Sequence, residues 1–139
     1  MDAYTDDPTI RDDAGLWRRI PPWHCVFDGN LGGVRPSSAA FEDHPDGSSM
    51  SVLLAEIVAE TRRGAEAILA GHEDYGLAAI TAGLARACGQ GVARKPRSDE
   101  PAHAEVFGKK PKSVRKRIAK GSEWVLPPPN RLASDRPNL

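Results

Sequence analysis

Proline and glycine interrupt this chain so often that its secondary structure elements have to be short. The sequence contains 12 prolines and 13 glycines in 139 residues, and a proline within a strand cannot donate to the β-ladder. The apolar stretches between these interruptions are each long enough for one strand or a few helical turns. A chain of this length is typical of a single domain, which folds without a disulfide or a metal. We therefore expect one small domain with a modest core.

The order of the predicted elements indicates an α+β fold. Hydrophobic periodicity predicts helices over residues 50–69 and 75–91, and the second stretch also allows a strand at 77–81 followed by a shorter helix. The other predicted elements are strands at 16–20, 23–27, 36–41, 91–94, 102–107 and 124–126, and a helix at 112–120. The order, roughly β-β-α-α-β-β-α-β, predicts a small single-domain mixed sheet with two to four helices.

Both ends of the chain are expected to lie outside the domain proper. Residues 1–14 hold five aspartates, which predicts an acidic, disordered arm. The proline-rich residues 128–139 predict a mobile tail, and the globular domain is expected between the two, at 15–127. The acidic start lacks the regions of a signal peptide, and no apolar run is long enough for a membrane helix. Cys25 and Cys88 belong to no paired motif. We therefore expect reduced thiols, a cytoplasmic location and no membrane contact.

Charge is distributed unevenly, although the chain is neutral overall. Residues 1–50 carry nine acidic and four basic residues, a net charge of −5, whereas residues 91–139 carry five acidic and twelve basic residues, a net charge of +7. Much of the basic excess lies in one stretch that contains no acid. Its seven cations are Lys109, Lys110, Lys112, Arg115, Lys116, Arg117 and Lys120. This asymmetry predicts a surface for an anionic partner.

On a helix, these cations occupy a broad arc opposite Val114 and Ile118. The apolar side can dock on the domain while the basic side faces solvent, where it would attract phosphates or carboxylates. We therefore predict a small binding or accessory protein that engages an acidic protein or a nucleic acid through the basic helical stretch at 109–120. Aromatic residues that would stack on single-stranded nucleic acid occur only at the margins, as Phe107 and Trp124.

The same charges also fit a clasp in which the basic helix pairs with the acidic arm of its own chain or of a second copy. In that case the basic residues would be used internally or in self-association, and no other partner would be needed. The sequence does not distinguish the clasp from a binding face.

A second group of polar residues predicts a cleft. In a strand at 16–20, Arg18 shares a face with apolar residues and needs a carboxylate or a bound anion. The candidate catalytic residues are Arg18, Arg19, Ser37, Ser38 and Glu105. The arginine followed by a serine-rich strand, over Leu16–Phe41, is similar to the arrangement in ADP-ribosyltransferase-like folds. That resemblance implies a cleft for a nicotinamide dinucleotide and gives the alternative hypothesis of a small nucleotide-binding enzyme. The chain departs from the family pattern in its short arginine-to-serine spacing and in lacking a Glu-x-Glu or Gln-x-Glu pair.

Histidine and cysteine spacing gives no sign of a metal site. None of His24, His44, His72 and His103 has the spacing of a zinc ligand pair. His24 and Cys25 are neighbours and would point to opposite faces of a strand, which argues against a thiol–imidazole pair. We expect His103 to be half-buried and bonded to a backbone carbonyl. The glycines form no phosphate-binding loop, so we expect neither a metal nor a cofactor.

Overall fold

The computed structural model describes residues 5–129, which form eight strands and four α-helices. The strands are β1 (Gly15–Ile20), β2 (Cys25–Asp28), β3 (Gly33–Pro36), β4 (Met50–Leu54), β5 (Gly76–Thr81), β6 (Gly91–Arg94), β7 (His103–Phe107) and β8 (Glu123–Leu126). The helices are α1 (Ala55–Glu60), α2 (Ala65–Ile68), α3 (Ala82–Ala87) and α4 (Lys112–Lys120), with short 3-10 turns at Pro22–His24 and Ser38–Phe41. The α+β class is confirmed. Most of the predicted tail at 128–139 lies outside the described residues.

Six strands form one sheet in the order β6-β7-β4-β1-β5-β8, and β2 and β3 form a separate hairpin. All the strand pairs of the large sheet are antiparallel, whereas the predicted mixed sheet allowed both parallel and antiparallel pairs. β1 pairs with β5 along its whole length. With β4 it pairs only at Leu16↔Leu54 and Trp17↔Leu53. Beyond Trp17 the two central strands no longer pair, and this leaves room for side chains between them.

Both faces of the sheet carry apolar side chains, because successive strand residues alternate between the faces. On one face, Leu16, Met50 and Val106 belong to the larger core, which α3, α4 and the Ser38–Phe41 turn cover. On the other face, Leu53 and Leu77 pack with apolar residues of α1 and α2. Helices thus cover both faces of the sheet, and the domain has three layers. Burying one such apolar side chain stabilises the fold by about 1.5–3 kcal/mol.

The predicted helix at 50–69 is wrong for its first five residues, which form β4. Residues 52–54 are consecutive apolar residues, and all three are buried because both faces of β4 are covered. A doubly covered strand and a buried helix produce the same apolar run, so periodicity does not separate them. The helix begins only at Ala55, and Arg62, at φ 60°, lies in the break between α1 and α2.

The structure also decides the predictions for residues 75–91 and 36–41. The stretch 75–91 adopts the alternative that the sequence allowed, with β5 followed by the short helix α3. Thr81 caps that helix, since its hydroxyl accepts a hydrogen bond from the Leu84 amide at 3.0 Å. The predicted strand at 36–41 is wrong. Only its first residue, Pro36, belongs to a strand, as the last residue of β3. The chain then forms the Ser38–Phe41 turn, which buries Phe41 in the larger core.

The acidic start of the chain is not the disordered arm that its composition predicted, at least in its described part. Ile10 is fully buried in the larger core. A carboxylate oxygen of Asp6 lies 3.1 Å from the guanidinium of Arg86 on α3, and Asp7 lies 3.2 Å from Arg94 on β6. These contacts place the start of the chain on the folded domain. Within the chain, these two aspartates therefore pair with α3 and β6 and not with the basic helix.

Replacing Ile10 with alanine is expected to lower the free energy of unfolding by about 2–3 kcal/mol, because three buried carbons are lost and a cavity remains. Arg11→Ala is the matched control, since the Arg11 side chain is 80% exposed and its loss should change stability by about 0.5 kcal/mol or less. Urea denaturation measures both variants. Equal, small effects would mean that the start of the chain does not belong to the folded domain.

Candidate functional site

The helix α4 covers residues 112–120, as the sequence predicted, and the first two cations of the basic stretch at 109–120 lie before it. Pro111 precedes it in an extended conformation, and Gly121 follows its last residue. Ile118 and Ala119 are buried, and Val114 packs against the same core from a partly buried position. The apolar side of the helix is therefore docked on the domain, as predicted. Its other sides carry the cations.

Two of the seven cations point inward and are used by the fold itself. The Lys110 side chain is 3% exposed, and its ammonium lies 2.6 Å from a carboxylate oxygen of Asp43. Burial lowers the pKa of Lys110, and the hydrogen bond with Asp43 opposes that shift. The Arg115 guanidinium lies 3.0 Å from the Glu42 carboxylate. Both cations tie α4 to the loop after the Ser38–Phe41 turn, so they are not available to a partner.

Three cations form a continuous exposed row, which we call the lysine stripe: Lys112, Lys116 and Lys120. Residues four apart in a helix lie on one side, about 6 Å from each other along the axis. None of the three forms an ion pair or a hydrogen bond with another residue of the described chain. Lys109 and Arg117 are also exposed, but they do not line the cavity beside the stripe.

A groove of about 880 Å³ lies between the lysine stripe and the hairpin of β2 and β3. Val26 and Leu31 of the hairpin form an apolar wall, and they are 39% and 69% exposed. Trp124 at the start of β8 also lines the groove. Apolar side chains that are exposed side by side, rather than singly, are typical of an interaction surface. The groove therefore joins a basic wall to an apolar wall.

The remaining charges of the groove leave it positive. Arg35 lines it together with Asp28, and their side chains pair at 3.0 Å. Glu123 is the other acid in the lining. Because the Arg35–Asp28 pair is neutral, the three lysines outweigh the one remaining carboxylate. An anion entering the groove meets a net attraction.

Hydrogen bonds from residues outside the hairpin tie it to β8 and close its open end. The indole Nε1 of Trp124 donates to the carbonyl of Val34 at 3.0 Å. The Ser37 amide donates to the His24 carbonyl at 2.8 Å. Trp124 belongs to β8, which pairs with β5 of the large sheet. The apolar wall of the groove is therefore attached to the large sheet through Trp124.

Arg18 fills the gap between β1 and β4 and organises the loop beneath α4. Its guanidinium donates to the carbonyls of Ala40 at 2.6 Å, Ser51 at 2.7 Å and Glu42 at 3.3 Å. Burial lowers the pKa of Arg18 to about 10, so it remains protonated at neutral pH. The carboxylate or anion that the sequence led us to expect is replaced by three backbone carbonyls. Arg18 is thus a structural residue that positions Glu42.

The structure does not bring the predicted catalytic residues into one cleft. Arg19 points to the opposite face of the sheet from Arg18, where its Nε donates to the Ile68 carbonyl at 2.9 Å. Ser37 and Ser38 line the groove. Glu105 is 9% exposed on β7, opposite Ser51 of β4. The cleft expected from the resemblance to ADP-ribosyltransferase-like folds is therefore not formed. Alternation along β1 places Arg18 and Arg19 on opposite faces of the sheet, and the guanidinium of Arg18 already donates to backbone carbonyls.

Cys25 is expected to be a poor nucleophile. Burial raises the pKa of its thiol to about 11, and its Sγ lies 3.6 Å from the Pro21 carbonyl. At pH 8 the thiolate fraction should be roughly 100-fold below that of an ordinary cysteine. Alkylation with iodoacetamide, followed by peptide mapping, should show correspondingly slow modification of Cys25, unchanged in His24→Ala. Modification at the rate of free cysteine, slowed by that substitution, would show an activated thiol–imidazole pair.

Comparison with known protein families, with curated proteins and with solved structures finds no match for this chain. Within residues 5–129, no helix combines the length and the apolar character needed to cross a bilayer. The same residues contain no cluster of three or more His, Cys, Asp or Glu side chains that could hold a metal ion.

Proposed function

We propose that this chain is a small cytoplasmic binding or accessory protein whose groove holds an acidic segment of a partner protein. The observation that carries the proposal is the pairing of an exposed lysine stripe with an exposed apolar wall across one cavity. Exposed lysines alone would favour any anion. An apolar wall facing them favours an anion that also has apolar side chains.

A peptide fits this arrangement better than a nucleic acid does. Single-stranded nucleic acid gains much of its affinity from bases stacked on exposed aromatic rings. Trp124 is the aromatic residue of the groove lining, and its indole is already bonded to Val34. The exposed Trp23 does not line the groove and packs edge-on against Tyr75. The aromatic surface that stacking needs is thus mostly outside the groove.

The spacing of the lysines indicates how the partner would lie. The stripe presents a charge about every 6 Å over a length of about 12 Å. In an extended peptide, alternate residues lie on one side at intervals of about 6.6 Å. A segment in which acidic and apolar residues alternate would therefore direct its carboxylates to the lysine stripe. Its apolar side chains would face Val26 and Leu31.

Fluorescence anisotropy with short labelled ligands at low ionic strength tests this proposal. The ligands are an alternating Asp-Val-Asp-Val-Asp-Val peptide, the block peptide Asp-Asp-Asp-Val-Val-Val of equal composition, and a short oligothymidylate. We expect the alternating peptide to bind several-fold more tightly than the block peptide, because only the alternating one reaches both walls. Added salt should weaken the binding by screening the lysines.

The three ligands separate the possible failures. If the oligothymidylate binds more tightly than both peptides, the partner is a nucleic acid. Equal binding of the two peptides would mean that charge alone is recognised and that the apolar wall has no part in binding. If no ligand binds even in dilute buffer, the groove does not bind anions and the proposal fails.

A further inference from the structure

A second, smaller cavity of about 270 Å³ lies where β1 and β4 stop pairing, and it is separate from the groove. Ser51, His103, Arg19 and Arg97 are among the residues that line it. Ser51 and His103 are 52 positions apart in the chain. They meet because β4 and β7 are neighbours in the sheet and both side chains lie on the same face.

The hydrogen bonds of His103 determine which of its ring nitrogens carries the proton in the neutral ring. Its Nδ1 lies 2.9 Å from the carbonyl oxygen of Lys95. A carbonyl oxygen only accepts, so Nδ1 is the protonated nitrogen and Nε2 has a free lone pair. Nε2 lies 3.2 Å from the Ser51 hydroxyl. The hydroxyl therefore donates to an imidazole that a third group orients, which is how serine nucleophiles are activated.

Exposure also fits a nucleophile and its base. His103 is 5% exposed, whereas Ser51 is an exposed residue that lines the cavity. The base is shielded and held in one orientation, while the hydroxyl oxygen is accessible from the cavity. A histidine with a purely structural role would need only the Lys95 carbonyl and apolar surroundings.

Two guanidiniums define the chemistry of the ligand. Arg97 is exposed, and its side chain forms no hydrogen bond or ion pair with any other described residue. Arg19 donates one hydrogen bond, from its Nε to the Ile68 carbonyl, and also interacts electrostatically with Glu100. Guanidinium groups bind carboxylates through parallel hydrogen bonds. The cavity therefore suits a small molecule with a carboxylate at one end.

The geometry points to Ser51 and His103 as a nucleophile and its general base, acting on a small ester that carries a carboxylate. In this step the Ser51 oxygen forms a bond to the acyl carbon, and His103 Nε2 takes the hydroxyl proton. The bond from the acyl carbon to the leaving oxygen breaks, and the imidazolium returns the proton to that oxygen, which releases an alcohol. Water then attacks the acyl-serine by the same route and releases the acid.

Labelling with a fluorophosphonate, which reacts with base-activated serines, tests the nucleophile directly. The full chain is incubated with the probe, and the modified residue is located by peptide mapping. We expect modification at Ser51, its loss in Ser51→Ala, and unchanged labelling in the control Ser48→Ala. His103→Gln should slow the labelling by about 100-fold or more. A serine hydrolase labelled in parallel verifies the probe.

Hydrolysis rates test the ligand class. The mono-p-nitrophenyl ester of succinic acid should be cleaved faster than p-nitrophenyl acetate. Arg97→Gln should remove that preference mainly through a raised KM, because the arginine binds the carboxylate and does not take part in bond making.

Three results would overturn the assignment: no labelling of the wild-type chain, labelling at another residue, or a folded His103→Gln variant that is labelled as fast as wild type. If that variant does not fold, the wild-type map and Ser51→Ala still decide the matter. None of these results concerns the groove, so the two proposals fail or succeed separately.

Discussion

Replacing Lys112 and Lys116 together with glutamate is expected to weaken binding of the alternating acidic peptide by roughly tenfold or more. Both side chains line the groove and have no partner among the described residues. Each substitution removes one attraction and introduces one repulsion at a distance that salt screens only partly. The fold should be unaffected, because both residues are exposed and glutamate is a good helix former. Anisotropy titrations at fixed ionic strength measure the loss.

The matched control is Lys109→Glu with Arg117→Glu, which changes the net charge by the same amount. Both residues are exposed on or next to the same helix but lie outside the groove lining. We expect less than about a twofold loss of affinity, since only long-range attraction is reduced. If both pairs of substitutions weaken binding equally, the partner responds to total charge and the groove is not its site.

Replacing Arg18 with methionine is expected to lower the free energy of unfolding by about 2–3 kcal/mol. Two effects oppose each other. Burial lowers the pKa of Arg18 to about 10, which corresponds to a cost of about 3 kcal/mol for holding the charged group inside. Its three hydrogen bonds to carbonyls are charge-assisted and worth about 1.5–3 kcal/mol each. The bonds exceed the burial cost, so the arginine stabilises the fold.

Arg19→Met provides the comparison on the neighbouring residue. Arg19 is exposed and donates a single bond, to the Ile68 carbonyl. Its loss should reduce the free energy of unfolding by about 1 kcal/mol or less. Urea denaturation of both variants gives the two values under the same conditions. If Arg18→Met is as stable as wild type, the burial cost is the larger effect and Arg18 does not organise the loop beneath α4.

The elements that could be predicted from the sequence are those whose ends are marked by specific residues. The helix α4 lies between Pro111 and Gly121, and its bounds agree with the prediction. The region around β4 was mispredicted because a strand covered on both faces is apolar at consecutive positions, as a buried helix segment can be. Ile10 was missed because one apolar residue among aspartates carries no periodic signal. Its burial depends on contacts with distant parts of the chain.

Of the two walls of the groove, the sequence predicted only the basic one. The basic helix is visible as a run of cations, but the sequence does not show that Lys110 and Arg115 pair with Asp43 and Glu42, more than 60 positions earlier. The apolar wall was missed altogether, because an exposed leucine such as Leu31 looks like a core residue in a sequence. The pairing of Ser51 with His103 likewise depends on sheet order, which hydrophobic patterns do not determine.

An NMR titration of the isotope-labelled chain with the alternating acidic peptide locates the bound peptide on the protein surface. We expect chemical-shift changes confined to backbone amides of Lys112–Lys120 and of the β2–β3 hairpin, together with the indole resonance of Trp124. These changes should follow one binding curve and disappear in the Lys112→Glu, Lys116→Glu variant. Changes centred on other surfaces, or no changes at low ionic strength, would contradict the claim that this groove is a binding site for an acidic partner.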